Sequence, residues 1–232
     1  MYEIIDAVKG NEHVITEKFT SWLNQIRKTF LTGEGVKVPC GNCTACCTSS
    51  YYICIDPDEK ETLAAIPGNF LFSVPGETGK KKVLGFDENG ECFMFMNNKC
   101  SIYDRRPRAC RNFDCRIFTA AGIPVDDNRV MISRQVRRWK FNFSEICDQR
   151  YYSAVQACAK FIAEFELNFP QGLNINNALQ QAAAAIKAYH VFLDFFNAAG
   201  KLEFNCLKPK VIDMIVSACE QFDSGFPVSD NI

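Results

Sequence analysis

The sequence predicts a mostly helical α+β protein, with an irregular cysteine-rich core carrying short strands and packed against an α-helical bundle. Three observations carry that prediction. Apolar residues recur at helical spacing over 11–31 and again beyond 150. Short β-type runs bounded by turn residues fill the stretch between them. Eight of the 13 cysteines crowd into 40–115. With 47 % apolar residues and 20 phenylalanines, the chain can fill a sizeable core. We divide it into an N-terminal helix in 1–35, a cysteine-rich core in 36–120 and a helical region packed on that core in 121–232.

Each element has a local cause. Over 11–31, Ile15, Phe19, Trp22, Ile26 and Phe30 fall on one stripe, with Asn11 placed to cap the start and Gly33 just past the end. The stretch 51–55, YYICI, reads as a strand. Asp56, Pro57, Asp58 and Glu59 read as a helix start, with a capping Asp, Pro at the first helical position and acids in the first turn. Pro67 and Gly68 end that helix. Residues 82–86 and 92–103 read as short strands around the turn formers Asn97 and Asn98. A two-residue loop there pairs 95 with 100 and sends Cys92 and Cys100 to opposite faces. A three-residue loop leaves Cys92 four residues up the same face, roughly 13 Å away. If both cysteines serve one centre, this is no regular hairpin.

The last third carries three helical stripes. The first is Tyr151, Val155, Cys158, Ile162, Phe165 and Phe169; the second runs from Leu179 to Phe196 and is closed by Gly200. Ile212, Ile215, Cys219 and Phe222 follow Pro209 as the third. Helices patterned this way pack as a bundle.

Composition excludes several functions. A net charge of −1 and an isoelectric point near 6.2 leave no basic footprint for nucleic acid. The longest apolar stretch, 182–196, is interrupted by Lys187, His190 and Asp194, so no membrane span is expected. The start, MYEIIDAVKG, carries acids and lacks the basic-then-apolar pattern of a signal peptide, so we expect a cytoplasmic protein with reduced thiols.

The chemistry lies in the cysteines. Cys40, Cys43, Cys46 and Cys47 occupy eight residues, and Cys92, Cys100, Cys110 and Cys115 follow. A Cys-x2-Cys step lets one turn of backbone aim two thiolates at one ion, and here it occurs twice in succession. A disulfide framework suits small secreted domains and fits poorly with an odd cysteine count, so these eight read as metal ligands. Cys158 and Cys219 fall on apolar stripes and read as core. Cys147 and Cys206 lack ligand spacing. Cys54, in the predicted strand, is either core or an auxiliary ligand. His13 and His190 are the only histidines, which favours an all-cysteine site and leaves no Ser/His/Asp or Cys/His constellation. The only GxG, at Gly33 and Gly35, follows a helix and indicates no nucleotide loop. Arg105, Arg106, Arg108, Arg111 and Arg116 interleave with Cys110 and Cys115. Eight thiolates around two zinc ions carry a charge of about −4, which such arginines could offset, or they form a solvated basic turn. Arg137, Arg138, Trp139 and Lys140 read as a surface stretch with one anchoring aromatic.

Over 38–116 the chain resembles the CxxCxxCC family of zinc- or iron-chelating proteins. The resemblance rests on the first cluster, then Cys92, then Cys100-Ser101-Ile102-Tyr103-Asp104-Arg105-Arg106-Pro107, then Cys110-Arg111-Asn112-Phe113. Flagellin lysine N-methylases are similar over the same cysteine core. Phe93-Met94 stands where the family usually has Pro-Phe. The resemblance implies metal binding, and two classes of function follow. In one, the metal holds together a binding or scaffold module whose helical region meets a protein partner. In the other, the centre is catalytic or redox-active, with methyl transfer to protein lysine as precedent. Two closed four-thiolate sites would use all eight cysteines and favour Zn2+. The alternative is iron or a [4Fe–4S] cluster, whose run Cys40-x2-Cys43-x2-Cys46 matches in spacing but continues to Thr48 rather than to a Cys-Pro.

Overall fold

The structure, a computed structural model, describes residues 14–73, 81–125, 129–195 and 207–225. In chain order the elements are β1 (Val14–Lys18), α1 (Phe19–Thr32), β2 (Ile53–Ile55), α2 (Lys60–Ala65), β3 (Leu71–Ser73), β4 (Lys82–Leu84), β5 (Phe95–Met96) and β6 (Lys99–Cys100). There follow α3 (Arg108–Asn112), α4 (Arg116–Ala121), α5 (Val130–Arg138), β7 (Trp139–Asn142), α6 (Ile146–Glu164), α7 (Ala178–Ala188) and α8 (Lys208–Asp223). The fold is mostly helical α+β, with its strands in small sheets.

The first helix is shorter than its stripe. It begins at Phe19, and Ile15 belongs instead to β1, which runs parallel to β7 with Val14 opposite Trp139 and Ile15 opposite Lys140. Val14, Ile15 and Thr16 are β-branched and suit a strand, but the partner lies far along the chain where periodicity cannot see it. Asn11 lies outside the described residues. Phe19, Trp22, Leu23 and Ile26 are buried as the stripe requires. Gly33, at φ 67°, ends the helix in the left-handed conformation and donates its N–H to the Thr29 carbonyl at 2.9 Å.

Residues 56–59 form a turn rather than the first turn of a helix, and α2 begins at Lys60. The reason is Glu59, whose Oε1 accepts from the Asp56 amide at 3.1 Å and closes the chain into a turn before the helix starts. β2 and β3 flank β4 in an antiparallel sheet, where β3 was not legible from the sequence. Asn97 and Asn98 both adopt positive φ (52° and 60°), and the two-residue loop pairs Phe95 with Cys100.

Two apolar cores result. The larger joins α1, α4, α6, α7 and α8 through Trp22, Phe118, Val155, Ile162, Ile186 and Ile215. Cys158 and Cys219 lie in it, at 0 % and 2 % exposure. The smaller contains Ile55, Ile66, Leu84, Met94 and Ile102 and lies under the small sheet. Each fully buried large side chain contributes about 1.5–3 kcal/mol, so the central region has little apolar support of its own.

The helical stripes hold, with shifted ends. α6 starts at Ile146, ahead of Tyr151, because Glu145 and Asp148 form a capping box; it stops at Glu164 and continues as a 3₁₀ turn over Glu166–Asn168. α7 gives way at Tyr189 to a 3₁₀ segment, Tyr189–Phe195. There Arg27 donates to the Ile186 and Lys187 carbonyls, at 3.0 and 3.2 Å, while stacking on Tyr189 and Phe222. Phe196, Gly200 and Cys206 lie outside the described residues. α8 buries Ile212, Ile215, Cys219 and Phe222, with Pro209 in its first turn. Among the described residues no helix is long and apolar enough to cross a membrane.

Candidate metal centre

The centre is built from turns rather than regular elements. After α1 the chain runs along α3, with the Val36 amide donating to the Arg111 carbonyl at 3.0 Å. A Cβ at Gly35 would stand 3.1 Å from Arg111 Cβ and 3.2 Å from its carbonyl oxygen, so that close approach favours glycine. The amides of Cys40 and Cys43 donate to the Val38 and Cys40 carbonyls, and Ala45–Cys47 form one 3₁₀ turn. Ala45 is buried in the larger core and anchors the loop.

The second thiol-bearing segment is tied to the first. Cys92 donates its amide to the Cys47 carbonyl at 2.8 Å, and Ser50 donates to the Gly90 carbonyl at 3.0 Å. Cys92 precedes the β5–β6 hairpin, and the Phe95 amide returns to its carbonyl at 2.7 Å. The chain therefore bends between Cys92 and Phe95, so the face alternation of a continuous strand never applies to Cys92 and Cys100. Cys110 comes from α3, whose first amide, that of Arg108, donates to Glu59 Oε2 at 2.5 Å. Cys115 immediately precedes α4 and accepts from the Trp139 indole N–H at 3.0 Å.

These segments bring the predicted thiols within electrostatic reach of one another. Burial and the charge of Cys43, then that of Cys46, push Cys40 up to about 11. Burial pushes Cys110 up to about 12, aided by Cys46, Cys92 and Cys100. Burial also raises Cys115 to about 12, against the Trp139 hydrogen bond, with Asp114, Cys40 and Cys43 adding to the rise. Cys92 and Cys100 are raised by burial and feel Cys46. In the vicinal pair, a hydrogen bond from the Cys47 thiol draws Cys46 down to about 7, and the same bond drives Cys47 up. Two neighbourhoods emerge: Cys40, Cys43 and Cys115 in one, Cys47, Cys92, Cys100 and Cys110 in the other, with Cys46 acting on both. Among the described residues, no three His, Cys, Asp or Glu side chains converge tightly enough to hold one ion as they stand.

Residues 39–131 match the model of the CxxCxxCC family, described as a putative zinc- or iron-chelating domain. This segment carries a CxxCxxCC domain. The match spans the loop 39–47, the small sheet and α3, and reaches the start of α5; α6, α7 and α8 lie beyond it. Nothing matches among curated proteins or among solved structures.

Within the CxxCxxCC domain the arginines have more varied tasks than their interleaving with cysteines suggests. Arg108 pairs with Asp58 at 2.7 Å and Asp56 at 3.5 Å. Arg111 donates to the Arg106 carbonyl at 2.5 Å. Arg116, 1 % exposed, binds Asp114 and Glu17 with its guanidinium. Arg106 stacks on Tyr103, and its charge helps lower Cys46 and opposes the rise at Cys100 and Cys110. Arg116 offsets part of the rise at Cys40. These two act on thiols through space. Trp139, expected only as an anchor, is 3 % exposed and also donates to a sulfur; nothing in its spacing from Cys115 signals that contact. Glu59 joins α2 to α3 and was equally hidden, since its partner is 49 residues away.

The remaining candidates sort simply. Cys54 is exposed on β2, which excludes the core reading. Cys147 meets Glu145 at 3.4 Å, in the exposed turn that starts α6. His190 packs edge-on to Tyr189, with ring centroids 6.1 Å apart, and His13 lies outside the described residues.

Proposed function

We propose that the CxxCxxCC domain is a structural polythiolate metal module, that zinc is its metal, and that the helical region presents the surface for a protein partner. The ligands are Cys40, Cys43, Cys46 and Cys115 around one ion and Cys47, Cys92, Cys100 and Cys110 around its neighbour. The observation that carries this reading is the gathering of thiols whose charges raise one another's pKa in a central region holding only a small apolar cluster. Thiols desolvated side by side are costly as anions, and a divalent cation removes that cost. Soft sulfur donors without histidine or carboxylate suit zinc or iron. The division into two neighbourhoods favours two four-thiolate zinc sites over one cubane, and it lets vicinal Cys46 and Cys47 serve different ions. Closure of the thiols onto metal is then part of binding, as in other domains whose metal free energy is folding free energy.

The test is elemental analysis with a visible absorption spectrum on anaerobically purified full-length protein. Colourless protein with about two zinc ions per chain is the expected result. A brown protein with stoichiometric iron and sulfide overturns the zinc assignment and favours the enzymatic class of function.

A further inference from the structure

A cleft of about 580 Å³ opens between the loop 39–45 and α5. That size is typical of small-molecule sites. Its α5 wall is formed by Met131, Arg134, Gln135 and Arg138, and Cys40 and Cys43 line the opposite side. Arg134 and Arg138 are one helical turn apart and both face the cleft, whereas Arg137 does not line it. No aspartate or glutamate lines it. Among the described residues, none forms an ion pair with either arginine. Gln135 is buried, at 6 % exposure, and its Oε1 accepts from Arg138 Nη1 at 3.4 Å, holding that guanidinium on the cleft side. Across the cleft the amides of Gly41 and Asn42 make no hydrogen bond among the described residues. A Cβ at Gly41 would meet nothing within 4 Å, so the turn leaves the cleft open.

We infer that this cleft binds a small oxyanion-bearing molecule, a carboxylate or phosphate compound, gripped by Arg134 and Arg138 across from the amides of Gly41 and Asn42. Two guanidinium forks without an opposing carboxylate are the donor arrangement that oxyanions take, with charge assistance and bidentate geometry. The ligand is additional to the metal, and the site needs no particular metal identity.

The test is an NMR titration of the ¹⁵N-labelled full-length protein as purified, with inorganic phosphate in one series and succinate in another. Saturable shifts confined to amides 40–44 and 134–138 are expected, and the series that saturates assigns phosphate, carboxylate or, if both do, oxyanions in general. The double variant Arg134→Gln/Arg138→Gln should bind at least about tenfold more weakly, the loss expected when charged hydrogen bonds go. Arg137→Gln, which removes an equal charge from the same helix outside the cleft, should stay within about twofold, and added salt should weaken binding. Because all three arginines are exposed, the variants should fold, and a matching amide spectrum checks that they do. The inference is overturned if neither series gives localised saturable shifts, or if Arg137→Gln weakens binding as much as the double variant.

Discussion

Cys115 lies where three influences meet: burial, the negative charge of the neighbouring Asp114 carboxylate, and an indole N–H that favours the thiolate. Of these, only the Trp139 hydrogen bond stabilises the thiolate, the form that a metal would need. Trp139→Phe keeps a large aromatic ring in the buried position and removes that donor. It should lower metal affinity about 10- to 100-fold, the usual effect of losing a partner of a metal ligand. Competition with a chelator of known affinity measures this, using the metal found in the purified protein. Arg108→Gln should leave affinity nearly unchanged, because Arg108 pairs with Asp58 and Asp56 rather than with sulfur.

Among the elements, α6 organises the helical region, and Asp148 joins it to α1. One carboxylate oxygen accepts from the Thr20 amide and hydroxyl at 3.0 and 2.8 Å, and the other accepts from the Glu145 amide at 3.0 Å. The same side chain thus caps the start of α6 and meets the first turn of α1. Burial pushes its pKa up, but the Thr20 and Glu145 donors outweigh burial and hold it below the ordinary 3.8. Asp148→Ala should destabilise the protein by about 2–3 kcal/mol, as three hydrogen bonds to a charged group are lost. A depressed carboxylate stabilises the fold above its unfolded pKa and ceases to do so as pH falls through the folded value. The stability gap between the native protein and Asp148→Asn should therefore be full at pH 6 and shrink as pH falls below about 4. Denaturant unfolding of both proteins across that range checks the slope, and a gap that widens in acid contradicts it.

At the scale of the whole molecule, the two apolar cores divide stability unequally. The larger ties α1 to the four later helices α4, α6, α7 and α8, whereas the smaller gathers five buried residues beneath the small sheet. Chelation, or Cys43→Ser, should therefore release the central region before the helices. Hydrogen exchange followed by mass spectrometry should show loss of protection in 46–73 and 82–110, with α6, α7 and α8 still protected. Equal protection of both regions after complete metal removal would argue against metal support of the centre. Ala45 and Cys115 belong to the larger core, so the two ends of the cysteine region should open later than its middle.

Local chemistry alone determined the stripes of the later helices, the Gly33 cap, the Asn97–Asn98 turn and the crowding of eight cysteines, because periodicity, φ preference and ligand spacing are properties of neighbouring residues. Tertiary structure decided what depends on distant partners. β1 is a strand because β7 lies beside it, and α2 starts late because the Glu59 carboxylate closes the turn before it. Cys92 escapes hairpin alternation because the chain turns between Cys92 and Phe95, held to Cys47 by a backbone hydrogen bond. The arginines among the cysteines read either as counter-ions to sulfur or as a solvated basic turn; Arg108 and Arg116 found carboxylates, and the indole of Trp139 reached Cys115. Charge and spacing name candidates for a contact; only the folded path of the chain selects which of them meet.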